Sequence, residues 1–474
     1  MTLSNAAKKT VVVLVLGFLI INFSSICFTY VNKKSKSFTT DEVVYYFLGT
    51  RLKKHFPQYN TIEYAQYLKK QGRGDHLPEY FYKPLFKYPP LFASLIAPTL
   101  PFESKLKFVF NLIPILFGAL LIPLTYLLTT HIAGRITGLL AALYIAIDPV
   151  VVGCSEKLWP ETTLAFFTVL SVYIYLLGIK KGDGRLYILG GFFCGLSCWT
   201  KYPGILACVV VLSWAVLFNR DLLKNKHFIF SLFLPVLMLI PWFAWNSYFH
   251  MNPLDAPLHL DPELTKKYIT LAKYGAFAVL LLGAYMLYRR SQKTALPNHK
   301  PPGSVPAALS LTLRGLGLIM VGTLIFPSLM HSITLDHVPN SSWNPGLFLN
   351  ASPLFYIGRL IEFSPFYILA FIAMFMTRFD SSDTKYLWLS ALGILLFFSA
   401  YGNYQSRYIL ACLPFLVALG SKFLVDVFIK ASNFSNFIPC LGACIGLLVL
   451  VIFIVSKTML VNYHLSYPNF FCYF

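Results

Sequence analysis

Charge is scarce in this chain: of 474 residues only 12% are Asp, Glu, Lys or Arg, and only 19 are acidic. With 57% hydrophobic residues and a mean hydropathy of +0.64, that little charge cannot keep a globule of this length in water. Runs such as 11–21 and 441–455 carry none at all, which marks a polytopic integral membrane protein. No zinc-type CxxC pair is present among the nine cysteines. Most of them (Cys27, Cys154, Cys194, Cys198, Cys208, Cys412, Cys440, Cys444) lie in or beside apolar runs, where a thiol acts as a small hydrophobe, so no metal or cofactor is expected. Internal repeats, low-complexity tracts and a soluble domain are also missing. The first apolar run follows Lys8-Lys9, is too long for a signal-peptide core and lacks a small-residue cleavage site after it, so it reads as a retained anchor.

A net charge of +20 could point to nucleic acid. The Lys and Arg residues instead fall in short clusters between apolar runs, the pattern of a topology signal, and no nucleic-acid partner is expected. Hydropathy predicts about 13 transmembrane helices, near 10–30, 106–130, 136–152, 160–179, 186–200, 203–218, 228–247, 268–288, 305–330, 352–376, 385–401, 407–429 and 437–458. They form one all-α unit over 1–460, with a short tail at 461–474. A cytoplasmic N-terminus puts the short basic loops, such as those at 180–185 and 289–300, inside, and leaves 31–105, 249–267, 331–351 and 401–407 outside. In the long first extracytoplasmic loop, 31–105, helical spacing at 41–51 and 61–70 and the Pro-rich stretch 88–99 predict interfacial helices.

Against this poverty of charge, the adjacent carboxylates of Asp41 and Glu42 stand just beyond the first span. A solvated cap on an interfacial helix, with Thr39 or Thr40 as N-cap, would account for them alone. Further charges fall at the same membrane face: Glu161 after Pro160 at the start of one span, Lys201 at the end of another, and Arg407 at the opening of a third. Any one could simply snorkel, but four spans agreeing on one face suggests a site. Lys201, Arg407 and Lys87 could bind an anionic phosphate at the lipid boundary, and Asp41 could accept a proton from an incoming nucleophile. A sugar carried on a polyprenyl phosphate needs this division of labour, since stabilising the departing phosphate replaces a general acid.

The order of these motifs resembles the glycosyltransferase C superfamily: Asp41-Glu42-Val43-Val44-Tyr45, then Tyr88-Pro89-Pro90-Leu91, then Trp159-Pro160-Glu161, then Gly195-Leu196 with Lys201-Tyr202-Pro203-Gly204, then Arg407-Tyr408 with Pro414. Protein O-mannosyltransferases and lipid A aminoarabinose transferases are the most similar groups, over roughly 1–210 and 400–425. The resemblance implies that Asp41 is the essential first-loop aspartate, Glu161 the second acidic position and Lys201 the lysine that contacts donor phosphate. In the family the Pro-Pro-Leu helix usually opens with His or Lys; here Tyr88 holds that place and the cation is Lys87. The aminoarabinose branch carries a soluble C-terminal domain, whereas this chain ends about 15 residues after its last predicted span.

The expected function is a membrane glycosyltransferase that moves a sugar from a polyprenyl-phosphate donor to an extracytoplasmic acceptor, a protein hydroxyl, lipid or glycan. Direct displacement would invert the anomeric centre. Asp41 and Glu42 are the catalytic candidates, with Glu42 and Glu161 binding the sugar or holding the cations; Lys87, Glu161, Lys201 and Arg407 are the substrate-binding candidates. The membrane would be a bacterial-type inner or plasma membrane or its equivalent, with the site on its outer face. The alternative is a transporter or flippase of a lipid-linked sugar or other amphiphile, which should carry its ionisable residues near the midplane on symmetry-related broken helices. His331, Asp336 and His337 match no common metal spacing, the Arg73-Gly74-Asp75 triplet and the sequons at Asn340 and Asn433 are chance-level signals, and Trp242, Trp245 and Trp343 fit an aromatic belt.

Overall fold

The computed structural model describes residues 4–33, 40–54, 59–72, 88–102, 109–250, 348–349, 355–376, 381–400, 403–432 and a few positions between 452 and 459. Lys87, the predicted spans at 268–288 and 305–330, most of the one at 437–458, His331, Asp336, His337, Trp343, the 73–75 triplet and both sequons lie outside the described residues.

Among the described residues the chain is helical apart from a two-residue antiparallel pairing, Phe348 with Tyr404 and Leu349 with Asn403. Five helical stretches are long and apolar enough to cross a membrane: Lys9–Val31, Val109–Ala133, Glu161–Lys181, Lys226–Trp245 and Ser406–Ile429. The helices in chain order are α1 (Asn5–Lys33), α2 (Thr40–Lys54), α3 (Ile62–Lys70), α4 (Leu91–Ile96), α5 (Leu112–Ala133), α6 (Arg135–Ile147), α7 (Pro149–Ser155), α8 (Glu161–Lys181), α9 (Gly184–Thr200), α10 (Leu206–Phe218), α11 (Lys226–His250), α12 (Phe355–Phe363), α13 (Phe366–Met376), α14 (Ser382–Ala400) and α15 (Leu413–Ser432). All six described cysteines are buried and free of disulfides.

Two predicted spans are broken. The one at 136–152 is the pair α6 and α7, bent by 53°. Pro149 cannot continue the α6 hydrogen-bond ladder, and Asp148 caps the new helix by accepting the Val150 and Val151 N–H groups at 2.9 and 3.0 Å. Tyr367 of α13 donates its hydroxyl to the other carboxylate oxygen of Asp148 at 2.5 Å, which ties the bend to the far end of the chain. The span at 352–376 is likewise two helices, α12 and α13, separated at Ser364-Pro365, again because proline lacks the donor the ladder needs.

Helix α8 ends at Gly182, whose φ of +66° is the left-handed C-cap that glycine supplies. Asp183 then opens α9 by accepting the Arg185 N–H. Small residues let α9 lie close to α11: a Cβ on Gly191 would fall 2.3 Å from the Ser231 carbonyl oxygen. Trp199 adds a hydrogen bond from its indole N–H to the Met238 carbonyl at 2.8 Å. Helix α9 stops at Lys201, which is extended at φ −163° and ψ 140°. Pro203 and the short 3-10 turn Tyr202–Ile205 follow, with Gly204 folded back against the Ser197–Cys198 backbone, where a Cβ would lie 2.4 Å from a carbonyl carbon.

Gly191→Ala should therefore force α9 and α11 apart and cost about 1–3 kcal/mol, the usual penalty of overpacking. Gly17→Ala, where a Cβ meets nothing within 4 Å, should leave stability unchanged or raised; thermal unfolding of the two purified variants in detergent compares them directly.

Candidate active site

Four of the six expected site residues meet in one chain of ion pairs. Asp41 and Glu161 stand in the first turns of α2 and α8, where the positive end of the helix dipole favours a carboxylate. Lys201 sits at the break after α9. Arg407 lies in the 3-10 turn Ser406–Cys412 that leads into α15. The Lys201 ammonium donates to Glu161 Oε1 at 2.9 Å, the Arg407 Nε lies 3.7 Å from that same oxygen, and the Arg407 Nη2 donates to Asp41 Oδ2 at 2.6 Å. The two carboxylates and two cations sum to zero.

Burial sets the character of this chain. Arg407 is 4% exposed and Glu161 1%, so each charge depends on its partners. Aromatic rings supply the rest of the Arg407 environment: its guanidinium lies 4.3 Å from the centre of the Trp159 ring and 5.4 Å from that of Tyr408, and its Nε donates to Gln405 Oε1. Lys201 sits over the other aromatic contact, 4.9 Å from the Tyr408 ring centre. Burial pulls the Lys201 ammonium toward neutrality and the Glu161 carboxylate pushes it back, leaving its pKa raised and the group charged.

Glu42 has different partners. Its Oε1 accepts the Leu158 N–H at 2.9 Å, and its Oε2 lies 4.0 Å from the Lys157 ammonium. Burial lowers the Lys157 pKa against the opposing pull of Glu42. Neighbours on a helix point about 100° apart, so Asp41 reaches Arg407 while Glu42 fastens α2 to the 157–159 turn, the turn that sets Trp159 beside Arg407. Tyr88, in the position where the family usually has a cation, donates its hydroxyl to Asp41 Oδ1 at 3.4 Å.

Sequence reasoning missed the aromatic lining. Tyr45, one turn after Asp41, is buried between Tyr88 and Phe92, with ring centres 5.3 and 5.0 Å away. Tyr59 is buried beside Trp242 and Trp245. Trp242 is 3% exposed and donates to the Tyr202 hydroxyl, so it belongs to this lining and not to the expected aromatic belt. At 17% aromatic residues, no sequence signal singles these out, except that Tyr45 shares a helical face with Asp41.

A small apolar cleft of about 10 Å³, room for little more than one water molecule, is lined by Leu164, Pro203, Leu206, Ile394, Phe398 and Ala411, among others. Leu164 follows Glu161 by three residues, Pro203 follows Lys201 by two and Ala411 follows Arg407 by four. Phe398 stacks on Tyr408 with centres 5.9 Å apart, which joins the cleft wall to the cation pair. No group of three His, Cys, Asp or Glu is placed to hold a metal ion among the described residues.

The comparisons with known proteins agree with the resemblance read from the motifs. The family described as dolichyl-phosphate-mannose-protein mannosyltransferase matches residues 87–245, about a third of the chain, which includes Glu161 and Lys201. No curated protein matches significantly. Among solved structures, the archaeal oligosaccharyltransferase AglB from Archaeoglobus fulgidus, in complex with an inhibitory peptide and a dolichol-phosphate, superposes with a TM-score of 0.57 at 15% identity, covering 97% of this chain and 56% of that one. The apo form of the Archaeoglobus fulgidus oligosaccharyltransferase gives 0.58 at 16% identity, covering 96% and 56%. ArnT from Cupriavidus metallidurans in the apo state gives 0.52 at 13% identity, covering 98% and 74%. The chain thus spans a little over half the length of the oligosaccharyltransferases it matches, and at these identities the likeness is one of fold. The chain resembles the glycosyltransferase C superfamily in its motifs and in this fold, and it is an integral membrane protein.

Because Arg407 and Asp41 hold each other in a largely buried setting, Arg407→Leu and Asp41→Asn should not be additive. Removing the cation alone should cost about 3–5 kcal/mol by stranding buried carboxylate charge, and the double variant should recover about 0.5–3 kcal/mol of that loss. Chemical or thermal unfolding of the four proteins gives the coupling.

Proposed function

We propose that this protein is a glycosyltransferase that takes its sugar from a polyprenyl phosphate and delivers it to an acceptor on the extracytoplasmic side of the membrane. The observation that carries the reading is the meeting of two cations, the buried Arg407 and the partly buried Lys201, on one oxygen of Glu161 at adjoining helix ends. The phosphate of a lipid-linked sugar needs such a pair of cations. The family match and the fold shared with AglB support it.

On this reading the donor phosphate competes with Glu161 and Asp41 for the two cations, since guanidinium and ammonium bind phosphate and carboxylate alike. The acceptor oxygen attacks the anomeric carbon, the bond from that carbon to the phosphate oxygen breaks, and the polyprenyl phosphate leaves with the electron pair, so the anomeric configuration inverts. The hydroxyl proton passes to Asp41. Arg407 holds Asp41 through its Nη2. Once phosphate draws the guanidinium away, the carboxylate is free to take the acceptor proton, which links the base to donor binding. Negative charge grows on the phosphate as the bond breaks, so the cations act on the rate as well as on binding. Glu161 keeps Lys201 charged and in place, and Glu42 acts through the 157–159 turn as a positioning residue. Lys87, nearby in sequence, would add a third cation.

The number of spans is part of the proposal: about 13 in all, with α2, α3 and α4 lying at the outer interface within the first loop. Cysteines placed at Asp41 and at Arg290 should label from opposite sides of the membrane in intact cells, and labelling from one side would remove the basis for an outer site.

Asp41→Asn should preserve the fold and lower sugar transfer by about two orders of magnitude, as loss of a positioned base does. Lys201→Ala should reduce both donor affinity and maximal rate, and more than Lys201→Arg does, since the fork of arginine still binds phosphate. Transfer from radiolabelled polyprenyl-phosphate sugars by the purified variants tests both. Near-normal turnover in Asp41→Asn would return Asp41 to the status of a helix cap.

A further inference from the structure

Two buried polar atoms at the site have no hydrogen-bond partner among the described residues: the Tyr45 hydroxyl and Glu161 Oε2. Both residues are 1% exposed, so each atom has given up water without compensation, a state that costs stability and is rare in folded proteins. The two belong to one place. Tyr45 lies a turn along α2 from Asp41, Asp41 is bonded to Arg407, and Arg407 reaches the other oxygen of Glu161. The Tyr45 ring is fixed edge-on between Tyr88 and Phe92, so the phenol cannot swing out to solvent. Burial, then the charge of Glu161 and then that of Asp41, push the phenol pKa well above its ordinary value, which keeps it protonated and a donor.

The chemistry of the missing partner follows from this pair. Tyr45 has a proton to give and Glu161 Oε2 has lone pairs to offer, and the charge of Glu161 is felt at the Tyr45 phenol, so one group that reaches both would accept from one and donate to the other. An ionised phosphate oxygen can only accept and an ammonium can only donate; an alcohol does both. Resting on the polyprenyl-phosphate reading above, we propose that Tyr45 and Glu161 form a specificity subsite that binds one hydroxyl of the donor sugar, the Tyr45 O–H donating to it and Glu161 Oε2 accepting from it. The division of labour within Glu161 is then complete: Oε1 holds Lys201, and Oε2 reads the sugar. A site of this kind rejects a donor lacking that hydroxyl, because its own buried atoms are left unpaired.

The test compares binding of undecaprenyl-phosphate mannose, glucose and aminoarabinose with binding of undecaprenyl phosphate alone, to purified full-length wild type and Tyr45→Phe in nanodiscs. The substitution removes one oxygen and keeps the ring packing, so the melting temperature should not fall, because the oxygen has no partner to lose. Wild type should bind at least one sugar-bearing lipid more tightly than the bare lipid phosphate, and Tyr45→Phe should cut that advantage about five- to tenfold, the typical weight of one hydrogen bond, while affinity for the bare lipid phosphate stays the same. An undiminished advantage in Tyr45→Phe would mean that the two atoms are satisfied by a bound water only, and an equal loss for the bare lipid phosphate would place Tyr45 on the phosphate; either overturns the subsite. Binding of undecaprenyl phosphate with no sugar advantage in wild type also overturns it and leaves the donor reading standing. No binding of any of the four lipids defeats the donor reading and the subsite together.

Discussion

A guanidinium taken out of water is the constraint on which the rest of this structure depends. Arg407 is buried, and an unpaired buried charge costs several kcal/mol. Its compensation comes from Glu161 on α8 and from Asp41, 366 residues earlier in the sequence, on α2. That requirement makes one site of segments that hydropathy alone would leave as separate helices. The surrounding features hold the pairing in register: Gln405 and the rings of Trp159 and Tyr408 fix the guanidinium, and Glu42 clips α2 to the turn that carries Trp159. At the other end, the break after α9 stops the helix with Lys201 at Glu161.

The same pairing explains how a largely buried site can hold four charges. Two cations facing two carboxylates make a neutral cluster, so each buried charge is compensated locally. On the proposed function, an incoming phosphate would replace carboxylate contacts with contacts of the same kind, and the exchange would set Asp41 free only when the donor is bound. In a low-dielectric setting such exchanges weigh more than they would in water. Each of the four charges stands at a helix end or break.

Much of the site was legible in the sequence because charge in an apolar chain is expensive and therefore rare. Asp41, Glu161, Lys201 and Arg407 could each be picked out as an ionisable residue at the edge of a span, and the apolar runs placed α1, α5, α8 and α11 to within a few residues. What was not legible is where an apolar run breaks. A window of about 20 residues averages across Asp148-Pro149 and Ser364-Pro365, so α6 and α7 were expected as one span, as were α12 and α13. The partners of each charge were also hidden, since pairing across hundreds of residues is a product of packing. Glu42 and Asp41, adjacent and alike in sequence, are separated by the turn of the helix into different tasks. The aromatic lining was invisible for the opposite reason: rings are too common here for Tyr45 or Tyr59 to stand out, and Trp242 read as an interfacial anchor.

The account turns on a lipid phosphate displacing carboxylates from Lys201 and Arg407, and a structure of the full-length protein in nanodiscs with a polyprenyl phosphate bound would test that most directly. The predicted result is a phosphate within hydrogen-bond distance of both cations and the Arg407 contact to Asp41 lengthened or lost. A phosphate bound elsewhere, with the ion-pair chain from Lys201 to Asp41 intact, would contradict it.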